Sequence, residues 1–241
     1  MFNTVKAWLS VMFVTIIFGT LAIILTKIKR SIAFDYAVRP WGKYILKGCG
    51  IRLEVQGVEN LPEEPCIIMY NHSSAFDIMA FSAAMPIEWV TIIKNEVAKI
   101  PIIGTVCKIT GQYFVSRDGS SGDLHMVKEI AEKIKNGPSV LIAPEGTRSE
   151  DGNLLPFKKG GFVIALRAKV PVVTMVITGG RDIKSKNSRL VKPGVMKIKF
   201  FEPIYVDKFE KGRAGREKLE KLVRDQMEAV LKEERELKMA V

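Results

Sequence analysis

Residues 7–26, AWLSVMFVTIIFGTLAIILT, are twenty positions without a charged side chain. At roughly 1.5 Å per residue they make a helix about 30 Å long, the thickness of a bilayer's hydrocarbon core. Such a segment spans a membrane or lies deep in one leaflet. A cleaved signal peptide competes, because Lys6 makes a basic flank, and so does the buried helix of a soluble core. The run is long for a signal's apolar region, and KIKR follows it in place of a small-residue cleavage site. A retained N-terminal anchor is therefore expected.

The charge beside this run is lopsided. Lys27, Lys29, Arg30, Arg39, Lys43 and Lys47 stand against Asp35 alone, close to half of the chain's net charge of +11. Positive residues next to an apolar span favour the cytoplasmic side, so the cytoplasmic face of the inner (plasma) membrane is the expected location. The segment SIAFDYAVRPWGKYILKGCG, residues 31–50, interleaves aromatic and aliphatic side chains with these charges, and Pro40 is expected to interrupt any helix there. It reads as an interfacial basic helical segment facing anionic lipid headgroups, with an ordinary surface helix as the alternative. A charge clustered beside an apolar anchor argues against a nucleic-acid partner. The three cysteines, Cys49, Cys66 and Cys107, form no CxxC pair and read as buried thiols of a reducing compartment.

Beyond residue 50 the pattern changes to short apolar runs separated by helical stretches. IRLEV (51–55), CIIMY (66–70), WVTII (89–93), QYFVS (112–116), SVLIA (139–143), PVVTMVI (171–177) and VMKIKFF (195–201) read as strands. Several are apolar on both faces, as in a sheet covered on two sides. Helices are expected over 75–84, 122–135 and 161–168, and an amphipathic one within 209–239. The fold class is α/β: one layered domain, residues 50–241, with a mostly buried mixed sheet flanked by helices. Residues 1–49 precede it as an N-terminal hydrophobic helix and interfacial segment.

The stretch CIIMYNHSSAFD, residues 66–77, places His72 in the turn between a strand and a helix, and Asp77 in that helix's first turn. Inside a continuous helix, residues five apart diverge by about 140° around the axis. A histidine just outside the helix start escapes this and can fold back toward the carboxylate. The carboxylate then fixes the tautomer and leaves the other ring nitrogen as a base. A capping arrangement, with Ser73 or Ser74 as N-cap and Asp77 favoured by the helix dipole, explains the pair equally well.

Further polar residues stand at strand ends. LIAPEGTRSEDG, residues 141–152, brings together Glu145, Gly146, Thr147 and Arg148; Arg117 follows the strand in GQYFVSRDG, and Lys94 ends WVTIIK. Cations at strand ends beside a histidine suit an anionic substrate at one edge of the sheet. Taken singly, each is an ordinary solvated charge.

Four ordered blocks, NHSSAFD (71–77), GQYFVSR (111–117), APEGTRS (143–149) and VPVVTMVI (170–177), resemble the glycerolipid acyltransferase family with its HxxxxD motif. The likeness is greatest to its 1-acylglycerol-3-phosphate acyltransferases. KNEVAKIPIIG (94–104) and PGVMKIKFFEPI (193–204) also resemble the family, so the likeness covers most of residues 50–206. Two positions depart from it: Ala143 stands where an aromatic is usual, and Thr174 where a second proline is common.

The resemblance implies a general base, His72 oriented by Asp77, acting on the sn-2 hydroxyl of lysophosphatidate, with acyl-CoA or acyl carrier protein as thioester donor. It implies that Lys94, Arg117 and Arg148 hold the phosphate, that Glu145, Gly146 and Thr147 shape the acceptor site, and that no cofactor or metal is needed. The partners implied are membrane lipids and the acyl donor. Glycerol 3-phosphate, another lysophospholipid or a lyso-aminolipid are alternative acceptors. A lipid hydrolase is a remoter alternative, without a G-x-S-x-G or H-E-x-x-H motif to support it, and so is a non-catalytic membrane-binding protein.

Overall fold

Along β2 (Ile67–Tyr70), β5 (Ser139–Ile142) and β6 (Val172–Thr178), successive side chains pass to opposite faces of a sheet, and both faces are buried. Ile68, Tyr70, Leu141, Val173, Met175 and Ile177 meet one core, while Ile67, Met69, Val140, Ile142, Val172 and Val176 meet another. Two-sided burial is why these runs are apolar without alternation. The computed structural model describes residues 2–115 and 122–239 of the chain.

Among the described residues seven strands form one sheet in the order β1-β7-β6-β2-β5-β3-β4. The others are β1 (Ile51–Gln56), β3 (Trp89–Lys94), β4 (Tyr113–Val115) and β7 (Gly194–Phe200). Every neighbouring pair is parallel except β6 with β7, so β2, β3, β4, β5 and β6 run in one direction and β1 and β7 in the other. All seven strands expected from the sequence are present, in a mixed sheet. The carboxyl ends of five of them share one edge, where open α/β sheets bind their ligands.

Helices cover both faces. On one lie α1 (Phe2–Thr26), α3 (Arg39–Gly48) and α4 (Asp77–Ala84); on the other α6 (Gly122–Lys133), α7 (Gly160–Ala168) and α9 (Arg213–Met239). Three shorter ones complete the set: α2 (Arg30–Ala33), α5 (Ile103–Ile109) and α8 (Gly180–Ile183). In α9 the apolar residues at spacings of three and four do what their pattern implies, with Leu219, Val223 and Met227 fully buried. Thr174 lies under this helix, and its hydroxyl donates to Gln226 Oε1 at 2.5 Å. The hydroxyl at this departing position thus fastens α9 to the sheet.

One detail differs from the sequence reading. Pro40 does not break the helical segment: it lies in the first turn of α3, immediately after a π-helical turn, Phe34–Val38, in which the Arg39 N–H donates to the Phe34 carbonyl five residues back. The widened turn accommodates the ring and the missing donor of proline. The segments before and after residue 50 pack together. Ala7, Phe34, Ile45 and Leu46 share one core with the sheet.

The α1 helix is two-faced. On its inner side Trp41 Nε1 donates to Thr15 Oγ1 at 3.0 Å, Phe18 stacks on Tyr44, and Gly19 lies so close to Ile102 that a Cβ would be 2.3 Å from Cγ2. On its outer side Leu9, Met12, Phe13, Ile16, Ile17 and Ile24 are between 45% and 64% exposed. Residues Thr4–Thr26 are long and apolar enough to cross a membrane.

Candidate active site

The turn that carries His72 is fixed before its ring is considered. β2 ends at Tyr70, and the next residue continues the sheet with its side chain. Asn71 Nδ2 donates to the Ile177 carbonyl at 2.9 Å, and Asn71 Oδ1 accepts from the Ile177 N–H at 2.7 Å. The amide stands in for one more backbone rung against β6, so the main chain leaves the sheet without orphaning buried polar groups. The backbone of His72 is then gripped by the loop after β5. Its N–H donates to Glu145 Oε1 at 2.9 Å, and its carbonyl accepts from the Ser149 N–H at 2.8 Å.

Asp77, the first residue of α4, is fully buried and points back into this turn. Its Oδ2 lies 2.9 Å from His72 Nδ1 and also accepts from the backbone N–H groups of Ser73 and Ser74, each at 2.9 Å. Neither serine is the N-cap. Ser74 Oγ accepts from the Phe76 N–H at 3.2 Å and donates to the Lys184 carbonyl at 2.9 Å, tying the turn to the end of α8. The capping is done in reverse, by a carboxylate inside the helix reaching out to the preceding turn.

A carboxylate accepts only from N–H, so in the neutral ring Nδ1 carries the proton and Nε2 presents its lone pair. The His72 side chain is 26% exposed while that of Asp77 is 0% exposed, which gives the pair a dry back and an open front. Tyr70 meets the imidazole edge-to-face at 5.8 Å between centroids. Burial, and then the charge of Asp77, push the Tyr70 phenol up, so it stays neutral.

Glu145 is buried, and both of its oxygens are engaged by backbone: Oε1 by His72 and Oε2 by the Leu155 N–H at 2.9 Å. Burial raises its pKa above the usual carboxylate value, and the two N–H donors oppose that shift. Its place is under the His72 turn, which it ties to the start of the segment after Asn153. Gly146 has φ of +67°, and a Cβ there would lie 2.8 Å from the Lys158 side chain, so this loop requires glycine. Thr147 and Arg148 follow, half-buried, and neither side chain makes a hydrogen bond or ion pair among the described residues.

Lys94 is the exposed last residue of β3, two strands from β2 on the same sheet edge. Arg117 lies outside the described residues, two positions beyond the end of β4. The structure thus brings His72, Asp77 and Glu145 into contact, sets Gly146, Thr147 and Arg148 in the adjoining loop, and leaves Lys94 farther along the edge.

Sequence reasoning missed Asn71 and Gly180. A Cβ on Gly180 would lie 2.7 Å from Asp77 Oδ1 and 2.9 Å from Ser74 Cβ, so only glycine leaves room for the aspartate. Its signal was the Gly179-Gly180 pair directly after an apolar strand.

The acyltransferase family model matches residues 52–178, more than half of the chain. The chain belongs to the acyltransferase family. A 1-acyl-sn-glycerol-3-phosphate acyltransferase of Cocos nucifera is 32% identical over 209 residues, covering 84% of this chain and 67% of the relative. The beta 1-acyl-sn-glycerol-3-phosphate acyltransferase of Homo sapiens is 32% identical over 157 residues, covering 64% of this chain and 56% of the relative. The chain therefore spans between 56% and 67% of the length of these relatives. The crystal structure of the 1-acyl-sn-glycerophosphate (LPA) acyltransferase PlsC from Thermotoga maritima superposes with a TM-score of 0.79 at 26% identity, over 95% of both chains. In this acyltransferase the matched region takes in the His72 turn, Lys94 and the loop around Arg148, and ends with β6. The anchor-like α1 and the C-terminal α9 lie outside it.

Proposed function

We propose that this acyltransferase moves a fatty acyl group from a thioester to the sn-2 hydroxyl of 1-acylglycerol 3-phosphate, forming phosphatidate. The observation that carries the reading is the 2.9 Å contact of His72 Nδ1 with a buried Asp77 carboxylate, which leaves Nε2 free at the carboxyl edge of the sheet. The names of the relatives and of the T. maritima structure support the acceptor.

In this mechanism His72 Nε2 accepts the hydroxyl proton as the oxygen attacks the thioester carbonyl. The tetrahedral intermediate collapses with cleavage of the C–S bond, and the imidazolium returns the proton to the departing thiolate. Asp77 stabilises the imidazolium and fixes the ring. A positioned base of this kind contributes about 10² to 10⁴ in rate. Arg148 holds the phosphate together with Lys94, on the same sheet edge, and with Arg117. The chemistry calls for no cofactor beyond the acyl-CoA or acyl carrier protein substrate.

A cavity of about 80 Å³, lined by Phe18, Val38, Trp41, Ile78, Ile102 and Val106 among others, lies between α1, α5 and the sheet and supports a place for an acyl chain. One wall comes from α4, the helix that begins at Asp77. The exposed apolar stripe of α1 and the basic residues 27–47 support attachment to the cytoplasmic face of a membrane, where acceptor and product reside.

Assay of the purified protein with a panel of acceptors and donors tests the reading. Turnover is expected to be fastest with lysophosphatidate and to be lost in His72→Ala. Faster acylation of a phosphate-free acceptor would overturn it.

A further inference from the structure

The turn that carries His72 is tied to two neighbouring loops, and each presents a cation. On one side the Ser149 N–H donates to the His72 carbonyl at 2.8 Å, which places Arg148 one residue from the turn. On the other side Ser74 Oγ donates to the carbonyl of Lys184 itself at 2.9 Å. Arg148 and Lys184 therefore flank the same three residues, 72–74, from the loop after β5 and from the end of α8.

Neither cation is matched by an acid. Arg148 has no ion pair among the described residues, and Lys184, only 8% exposed, donates its ammonium to carbonyls alone, Ser188 O at 2.8 Å and Ser185 O at 3.3 Å. Nearby cations are treated differently, since Lys186 pairs with Glu150 at 3.1 Å. The two buried carboxylates of the site form no ion pair with either cation among the described residues: Asp77 Oδ2 and both Glu145 oxygens accept from His72 and from backbone N–H groups. Burial lowers the Lys184 pKa, and the charge of Arg148 lowers it further, so the two cations feel each other. Two like charges in a half-dry position without a counter-charge destabilise the empty protein, and an anion between them relieves both.

We infer that Lys184 is a phosphate-binding residue of the acceptor site, paired with Arg148 across the His72 turn. This rests on the lysophosphatidate reading above and adds to it a residue that lies outside all four blocks of the family. Arg148 contributes a planar fork and Lys184 a point charge with its third N–H still available, a set suited to a terminal phosphate monoester. The phosphate so held is fixed relative to the same turn that aims the base.

The experiment pairs thermal unfolding of the full-length protein with acceptor kinetics, in wild type, Lys184→Gln, Lys184→Arg and Arg148→Gln. Inorganic phosphate, compared with chloride at equal ionic strength, is expected to stabilise wild type and Lys184→Arg, and to lose most of that effect in Lys184→Gln and Arg148→Gln. The KM for lysophosphatidate is expected to rise about tenfold in Lys184→Gln, the equivalent of one charged hydrogen bond, and to rise more than kcat falls. If Lys184→Gln keeps the wild-type KM and phosphate response while Arg148→Gln loses both, Lys184 only staples the 185–188 loop and the inference fails with the lysophosphatidate reading intact. If wild type shows no phosphate response and prefers a phosphate-free acceptor, both fail. Should Lys184→Gln not fold, Lys184→Met, which keeps the chain length without the charge, decides: a wild-type KM and phosphate response in that folded variant would overturn the assignment of Lys184 as an anion site.

Discussion

The single carboxylate oxygen Oδ2 of Asp77 holds both the imidazole of His72, at 2.9 Å, and the turn on which that imidazole stands, through the N–H groups of Ser73 and Ser74. Orientation of the base and integrity of the turn are therefore one interaction network, and substitutions separate the two roles. His72→Ala is expected to lower kcat by about 10² to 10⁴ with little change in thermal stability. Asp77→Ala is expected to cost comparable activity and also about 1–3 kcal/mol of stability for each buried N–H left unpaired. Denaturant titration beside steady-state kinetics measures both, and an Asp77→Ala protein as stable as wild type would refute the second role.

Gly180 sets the position of Asp77 from the other side. Gly180→Ala places a methyl group 2.7 Å from Asp77 Oδ1, against backbone-anchored neighbours that cannot yield far. Overpacking of this kind costs about 1–3 kcal/mol, and here the strain falls on the carboxylate that aims the base. The expected result is a kcat loss larger than any change in acceptor KM. A variant with wild-type kcat would show that Asp77 has slack.

Glu145 leads to a pH prediction. Its folded-state pKa is raised by burial above the ordinary carboxylate value of 4.5. The folded protein then binds this proton more tightly than the unfolded chain, so the stabilising contribution is full below 4.5 and is lost as pH rises through the raised value. Stability measured by denaturant across that interval is expected to carry a falling component with rising pH, and Glu145→Gln is expected to remove it. An unchanged slope in the variant would assign the dependence elsewhere.

Burial pushes the thiols of Cys49, Cys66 and Cys107 up to about 11. Only the thiolate reacts with iodoacetamide, and at pH 7.5 such a thiol is ionised to well under about one part in a thousand. Mass spectrometry of the folded protein is expected to find all three unmodified after an exposure that labels them fully in denaturant. Rapid native labelling of Cys66 would contradict its placement in the core.

The sheet was legible in the sequence because its signal is local: two-sided burial forces apolar runs of strand length, and all seven were recognisable. The contact of His72 with Asp77 was legible for a similar reason, since five residues across a strand-to-helix turn are a short-range geometry. Asn71 was not. Its role depends on the backbone of Ile177, 106 residues away, and an asparagine before a turn looks the same whether or not such a partner exists. Gly180 likewise shows its meaning only against Asp77. The path through Pro40 was misread because a π turn has no sequence period of its own, and α5 is a seven-residue helix too short to display one. Thr174, which stood out as a departure from the family's pattern, is explained by its bond to Gln226 in a helix that no short-range pattern could place.

The side-chain rung made by Asn71 sets where the chain leaves the sheet, and Asp77 with the loop after β5 completes the aim of His72. Outside the residues that bond to the turn, the loops that meet the acceptor can change length and composition while the imidazole keeps its direction. A scaffold of this kind separates two evolutionary tasks, retaining one acyl-transfer geometry while exploring many acceptors. The two tasks meet where Glu145, Ser149 and Lys184 bond to the turn.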